Sequence, residues 1–258
     1  MSALNITVKD GVAELVLSRP DALNAISTQL AAELVSATDT LRGNNDVRVV
    51  LLAADGDRAF CVGADLKERN GMSDADLLAQ RVVFRGAFGG VLNLPQPTVA
   101  AVHGFALGGG CELALSCDIV VADETAVLGL PEVSIGLVPG GGGTQLALRR
   151  LGPGRAADVV LTGRRIAAEE AHALGLVDRL VPVGSARNAA REVAAQIAKN
   201  SPVATRAAKR ALRHGWGLDY AAAMDVEDAA WRTAATSADR REGIAAFNEK
   251  RPPVWPGR

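Results

Sequence analysis

Two glutamates twenty residues apart, Glu112 and Glu132, are set in a stretch crowded with glycine. The chain runs His103-Gly-Phe-Ala-Leu-Gly-Gly-Gly-Cys-Glu112-Leu-Ala-Leu-Ser-Cys-Asp118, continues to Leu128-Gly-Leu-Pro-Glu132-Val-Ser-Ile-Gly, and then passes through Val138-Pro-Gly-Gly-Gly-Gly143. Apolar and glycine neighbours make a charged carboxylate costly unless it is paired or put to use. Glycine lets backbone approach a ligand closely, and a glycine-to-helix junction presents N–H groups that have no helical acceptor. Paired acids beside preorganised donors are the ingredients of proton transfer at an activated carbonyl. Taken singly, each glutamate is equally well explained by a turn, or by a favourable charge in a first helical turn. The longer pattern decides between these readings.

The elements that must hold this stretch are read from periodicity. Residues 4–9 and 12–17 alternate as strands around an Asp10-Gly11 hairpin turn. Ser27, with Ala31, Leu34, Val35 and Thr38, predicts a helix to about Arg42. The apolar run 47–54 is a buried strand, and 73–94 reads as a helix closed by Pro95 and Pro97. Strands over 99–102 and 119–122 flank a short helix that starts near Gly109-Gly110. A helix over 168–174 and a strand over 176–181 follow. Strands alternating with helices predict an α/β fold with crossover connections. After Pro182 the texture turns alanine-rich and helical, over 186–199, 202–214, 220–236 and 238–250. The expected division is a core over residues 1–200 and a helical region over residues 201–258.

Behind the strand at 47–54 stands Arg58-Ala-Phe-Cys-Val-Gly63-Ala64-Asp65-Leu66-Lys67-Glu68. The pieces Phe-Cys-x-Gly-Ala-Asp-Leu-Lys, Gly-x-Ala-Leu-Gly-Gly-Gly-Cys-Glu-Leu-Ala and Gly-x-Pro-Glu occur in that order. Pro139 with four glycines and Thr144-Gln145 follow in register. Together they resemble the crotonase superfamily, the enoyl-CoA hydratase/isomerase family. The similarity extends from Leu17-Ser-Arg-Pro to the segment between Arg240 and Arg251, nearly the whole chain. Val62 departs from the alanine frequent in the family's first motif.

The resemblance implies a crotonase-like spiral of strand-strand-helix units that carries the site, with C-terminal helices making oligomer contacts. It implies a coenzyme A thioester as substrate, its developing oxyanion received by the N–H groups of Ala64 and Gly109. Position at a helix start supports Gly109 independently; for Ala64 there is only a Gly-Ala turn after a strand. Glu112 and Glu132 would hold one water. Glu112 takes its proton as it adds to the β-carbon, and Glu132 supplies a proton to the α-carbon. Both acids are retained, which favours hydration. Ala22, Ala25, Ala64, Asp65, Leu66, Lys67 and Gly109 match positions that line the coenzyme A groove, although a solvated surface lysine explains Lys67 as well. Coenzyme A is part of the substrate; no separate cofactor, metal or prosthetic group is implied.

Relatives form trimers that pair into hexamers. The tail here carries Met224, Trp231, Ile244 and Phe247, apolar material that a small helical appendage cannot bury alone. In that arrangement Phe247 and Lys250 reach a neighbour's coenzyme A site. The acyl pocket is expected along the helix around residues 79–92, at the apolar positions Val82, Val83, Phe84, Phe88 and Val91.

Composition excludes several other classes. At 258 residues and 48% hydrophobic, the chain can bury a substantial core. A net charge of −1 with interspersed signs gives no electrostatic case for nucleic acid or an anionic membrane. No apolar run approaches the ~18 residues of a membrane span, and no secretory-type leader precedes the first strand. A cytoplasmic location is the expectation. Cys61, Cys111 and Cys117 form no CxxC pair and read as packing residues. HExxH, GxSxG and P-loop patterns are absent.

The reading is therefore an enoyl-CoA hydratase. A methylglutaconyl-CoA hydratase is the alternative, since the segment from Ala64 to Ser73 and Glu249-Lys-Arg-Pro-Pro253 resemble that subgroup; an enoyl-CoA isomerase is another. A different class is RNA binding, known in one member with a lysine-rich helix. The corresponding stretch here, residues 71–97, has no lysine and only Arg81 and Arg85. A non-catalytic acyl-CoA binder would have no use for both glutamates.

Overall fold

Val-Val-Leu-Leu-Ala-Ala at residues 49–54 has no polar face, and the structure buries every residue of it. A computed structural model describes residues 2–258. The chain opens with an antiparallel hairpin, β1 (Leu4–Lys9) and β2 (Val12–Leu17), turning at Asp10-Gly11. Helix α1 (Thr28–Arg42) follows, its start capped by Ser27, whose Oγ accepts the Leu30 N–H at 3.2 Å.

Three units come next, each of two strands followed by one or two helices. The first contains β3 (Val49–Ala54) and β4 (Ala59–Cys61), then α2 (Leu66–Arg69) and α3 (Asp74–Leu92). The second contains β5 (Thr98–Val102), β6 (Phe105–Leu107) and α4 (Gly109–Ser116). The third contains β7 (Ile119–Asp123) and β8 (Val127–Gly129), then α5 (Gly143–Leu151) and α6 (Pro153–Thr162). The chain continues through β9 (Arg165–Ala167), α7 (Ala168–Leu174), β10 (Arg179–Val181) and α8 (Ala186–Ala198). It closes with α9 (Pro202–Gly215), α10 (Tyr220–Ala235) and α11 (Ala238–Asn248).

Each unit sends its first strand to one sheet and its second to another. The larger sheet has the order β1-β2-β3-β5-β7-β10 and is parallel from β2 onward; the smaller has the order β4-β6-β8-β9, with β4, β6 and β8 parallel. Strand alternation then divides the core. Val50, Leu52 and Ala54 pack inward with α1, α3 and α4, while Val49, Leu51 and Ala53 pack against Ala190, Val193 and Ala194 of α8. Covering both faces explains why β3 lacks a polar period. Truncating a residue such as Leu52 to alanine should cost about 2–5 kcal/mol.

Helix α9 is tied to the core by charge. Asp118, just after α4, pairs with Lys209 at 2.7 Å and with Arg213 at 2.7 Å, and accepts the Thr98 N–H at 2.8 Å. Lys209 Nζ also donates to the Gln96 carbonyl, and Arg213 to the carbonyl of Ser116.

Two other expectations change. The strand expected over 176–181 is only β10, because Leu176 and Val177 both donate to the Ala171 carbonyl and so belong to the closing turn of α7. Helices α5 and α6, in a stretch with no assigned element, follow the glycine run. Among the described residues no helix is long and apolar enough to cross a membrane.

Candidate active site

The site stands at the C-terminal ends of the three parallel strands of the small sheet, where ligands collect in open parallel sheets. Past β4 come Gly63 and Ala64; past β6 come Gly108 and Gly109; past β8 comes Glu132. Neighbouring strands thus bring residues distant in sequence to one edge.

Ala64 is held by a parallel bridge to Ile26: the Ile26 N–H reaches the Gly63 carbonyl at 2.7 Å, and the Asp65 N–H reaches the Ile26 carbonyl at 2.9 Å. Backbone alternation turns the Ala64 N–H to the opposite side, and it has no acceptor among the described residues. Gly63, at φ +91°, lies so close to the next strand end that a β-carbon there would stand 2.9 Å from the Leu107 carbonyl and 3.1 Å from the Gly109 nitrogen. Only glycine lets the two turns approach this closely. Gly109 opens α4, so its N–H has no helical acceptor and sits at the positive end of the helix. The next residue, Gly110, packs directly on the Cys61 carbonyl, where any side chain would collide.

Glu112 lies in the first turn of α4 and is buried. Its Oε1 accepts the N–H groups of Gly141 and Gly143, each at 2.7 Å. Burial pushes the carboxyl above its ordinary value, against the pull of those N–H groups and of the Arg81 charge. Glu132 begins a short 3-10 turn after Pro131. Its Oε1 sits 3.2 Å from where a β-carbon on Gly108 would be, and its Oε2 is buried with no hydrogen-bond partner among the described residues. Burial, with the charge of Glu112 adding to it, pushes Glu132 up to about 7, against the pull of its own backbone N–H. Two carboxyls thus share one pocket with different surroundings: one braced by donors, one bare. That asymmetry separates a base from an acid.

The pocket is a cavity of about 440 Å³, and Ala64, Gly109, Glu112 and Glu132 all face it. Its wall is one face of α3: Leu77, Arg81, Phe84 and Phe88, at helical spacing. A β-carbon on Gly109 would lie 3.3 Å from the Phe88 ring, and one on Gly141 would lie 2.7 Å from it, so Phe88 is wedged between the donor turn and the Glu112 brace. Ile135, Leu137 and Val138 close the other side.

Of the residues expected to contact coenzyme A, Ala64, Leu66 and Gly109 line this cavity. Ala22, Ala25, Asp65 and Lys67 do not. Ala22 and Ala25 flank a loop braced by buried Asn24, which donates to the carbonyls of Asp55 and Ala59. Asp65 is engaged inside the protein: it caps α2 through the Lys67 and Glu68 N–H groups and pairs with Arg19 at 2.9 Å. Burial works to raise its pKa, but the Arg19 hydrogen bond and charge hold it below the usual value. Lys67 is exposed. Phe247 and Lys250 are exposed and outside this chain's cavity, with Phe247 83% accessible. The acyl-wall expectation is corrected in part. Phe84 and Phe88 line the cavity, whereas Val82 points to solvent at 73% exposure and Val83 and Val91 pack into the core. Arg69, at the end of α2, and Arg81 line it instead; the 77-81-84-88 spacing would have revealed Arg81.

Comparison with known proteins identifies the family and the fold. The sequence pattern of the family described as enoyl-CoA hydratase/isomerase matches residues 7–258. The mitochondrial enoyl-CoA hydratase domain-containing protein 2 of Homo sapiens is 42% identical over 254 residues, covering 96% of this chain and 86% of that protein. The mitochondrial methylglutaconyl-CoA hydratase of Homo sapiens is 37% identical over 251 residues, covering 96% of this chain and 74% of that one. The crystal structure of enoyl-CoA hydratase from Bacillus anthracis superposes with a TM-score of 0.96 at 40% identity, covering 99% of this chain and 100% of that one. Sequence, fold and the order of the strand-end motifs thus converge, and the chain belongs to the enoyl-CoA hydratase/isomerase family, with the crotonase fold.

Proposed function

We propose that this chain is an enoyl-CoA hydratase that adds water across the 2,3 double bond of a 2-enoyl-CoA thioester. The observation that carries the reading is the pairing of two differently held carboxyls, Glu112 and Glu132, in one cavity with the acceptor-free N–H groups of Ala64 and Gly109. The thioester oxygen sits between those two donors. Glu112, whose anionic form the Gly141 and Gly143 N–H groups favour, takes a proton from water, whose oxygen bonds to the β-carbon. The π electrons move toward the α-carbon and the thioester oxygen, where the N–H groups stabilise the enolate; such donors are worth roughly 3–4 kcal/mol each. Protonated Glu132 then delivers a proton to the α-carbon. Exchange with solvent returns both carboxyls to their starting states.

The steps use only these two carboxyls and backbone donors, so the reading requires no metal or prosthetic group. Ala22, Ala25, Asp65, Leu66 and Lys67 are assigned to the rim where the coenzyme A moiety leaves the cavity. Phe247 and Lys250 are assigned to a neighbouring subunit's rim, in a trimer or a dimer of trimers. The location is taken as cytoplasmic. An isomerase needs one carboxyl to shuttle a proton between carbons, whereas hydration uses both. Incubation with crotonyl-CoA tests this: loss of enoyl absorbance with formation of 3-hydroxybutyryl-CoA is expected. Double-bond migration in a 3-enoyl-CoA, without hydration of crotonyl-CoA, would overturn it.

A further inference from the structure

Leu23 and Asn24 both stand in the left-handed backbone region, at φ +52° and +54°. Asparagine tolerates that region, but a leucine there is uncommon and strained. Such a turn persists only where its surroundings over-determine it, and here they do. The Arg19 N–H donates to Asn24 Oδ1 at 2.9 Å, and the Asn24 N–H returns to the Arg19 carbonyl at 2.9 Å. The Leu23 N–H reaches the Pro20 carbonyl at 3.0 Å, and the Asn24 amide is spent on Asp55 and Ala59. The strained turn delivers residues 23–26 alongside residues 62–65, the stretch that carries Ala64. Beyond the two bonds of the Ile26–Ala64 bridge, the Val62 N–H reaches the Leu23 carbonyl at 3.2 Å. Two segments joined by three backbone bonds make a marginal pairing by themselves.

Arg19 closes this pairing. One of its guanidinium nitrogens donates to the Ala25 carbonyl and the other to Asp65 Oδ2, the latter at 2.9 Å. Ala25 and Asp65 are the immediate neighbours of Ile26 and Ala64, so one planar fork staples both segments beside the bridge. The other oxygen of Asp65 accepts the N–H groups of Lys67 and Glu68 and so fixes where α2 begins. Arg19 itself does not line the cavity.

We infer that Arg19 is a positioning residue for the oxyanion donor: it fixes the direction in which the Ala64 N–H points. This rests on the site reading above for the place of the thioester oxygen. The test uses butyryl-CoA labelled with carbon-13 at its thioester carbonyl, a saturated ligand that is not turned over. Bound to the wild-type protein, its carbonyl stretch should lie below the solution frequency, because two N–H donors polarise it. In Arg19→Gln, saturated with the same ligand, the stretch should return part of the way to the solution value. Crotonyl-CoA kcat should fall by ~10–100-fold, the scale of a misplaced donor, with KM changed by less than about threefold. Asp65→Asn weakens the same contact from the other side while keeping an N-cap for α2. It should move the frequency in the same direction, and it carries the test if Arg19→Gln does not fold. Loosened packing alone would lower occupancy or melting temperature and leave the frequency of the bound carbonyl where it was. An unchanged frequency in the variants therefore overturns the inference, and a raised KM beside it would assign Arg19 to coenzyme A. A wild-type carbonyl unshifted from solution would overturn the site reading and this inference with it. A shifted, Arg19-dependent carbonyl in a protein that hydrates no crotonyl-CoA would remove the hydratase reading alone.

Discussion

Glu112 Oε1 and the backbone nitrogen of Gly143 lie 2.7 Å apart, and the Gly141 nitrogen lies at the same distance from the same oxygen. One carboxylate oxygen is thereby committed to structure.

A glutamine at this position keeps an oxygen for both N–H groups but cannot take a proton. Glu112→Gln and Glu132→Gln should each retain the fold and coenzyme A binding while lowering crotonyl-CoA turnover by ~10²–10⁴-fold. Because both act on one water, the double variant should lose less than the product of the single losses. α-Proton exchange should suffer more from the Glu132 change. Hydration surviving either substitution within threefold would remove that residue from the mechanism.

The raised carboxyls also set a pH profile. Glu132 must be protonated to donate, so kcat/KM should fall as pH rises through about 7. Glu112 must be ionised, so the acid limb should lie above the ordinary carboxylate range. The sign for stability follows from linkage. A carboxyl whose folded pKa exceeds its unfolded value of 4.5 stabilises the fold below 4.5, and that contribution is lost as pH rises through about 7. Relative to Glu132→Gln, the wild-type protein should therefore lose about 1–3 kcal/mol between pH 4.5 and pH 8. Parallel denaturation curves at the two pH values would show it, and equal pH dependence would count against the burial of Glu132.

Asp118 is held below the ordinary carboxylate range by Lys209 and Arg213 although burial opposes it. Asp118→Asn leaves Lys209, 8% exposed, without its counter-charge, and should cost about 3–5 kcal/mol. In the wild-type protein the pair's contribution should be present at neutral pH and decline as pH falls below the usual carboxylate range. Urea midpoints at pH 7 and pH 3 measure both; a midpoint unchanged at pH 7 would mean α9 docks without this contact.

Phe84 and Phe88 bound the cavity that also holds Glu112 and Glu132. Phe84→Ala should shift the preference toward longer enoyl chains, by ~10-fold or more for each methylene newly accommodated. A chain-length series on folded variant, checked by its melting temperature, decides this. An unchanged profile would place the acyl group elsewhere.

The last two turns of α10 and all of α11 leave Trp231, Ile244 and Phe247 exposed. We expect these faces to meet other copies of the chain, and light scattering should report a trimer or hexamer. A monomer at micromolar concentration would refute this and leave Phe247 and Lys250 without a coenzyme A site to reach.

Much of this was legible in the residues, and the exceptions have physical reasons. The hairpin, α1 and the buried β3 follow from alternation and capping, and the Gly-Gly-Gly-Cys-Glu run placed both the start of α4 and Glu112. The α3 wall was misphased because Val82, Val83 and Val91 are apolar, yet the helix turns Leu77, Leu78, Arg81, Phe84 and Phe88 toward the site. Apolarity identified the helix but not its rotation. Helices α5 and α6 were missed because Gly140 to Gly143, Gly152 and Pro153 punctuate that stretch as a loop would. The role of Asp118 depends on residues some ninety positions away, which no local pattern reports.

In the small sheet β4, β6 and β8 are three residues each, and β6 is hydrogen-bonded on both sides. The turns that follow them carry the donors and Glu132, and the core packs directly beneath. Such a site has no hinge of its own: the backbone that would have to loosen is the backbone that joins the units. Thermal inactivation and global melting should accordingly be a single cooperative event, with no temperature at which the protein is folded but already idle.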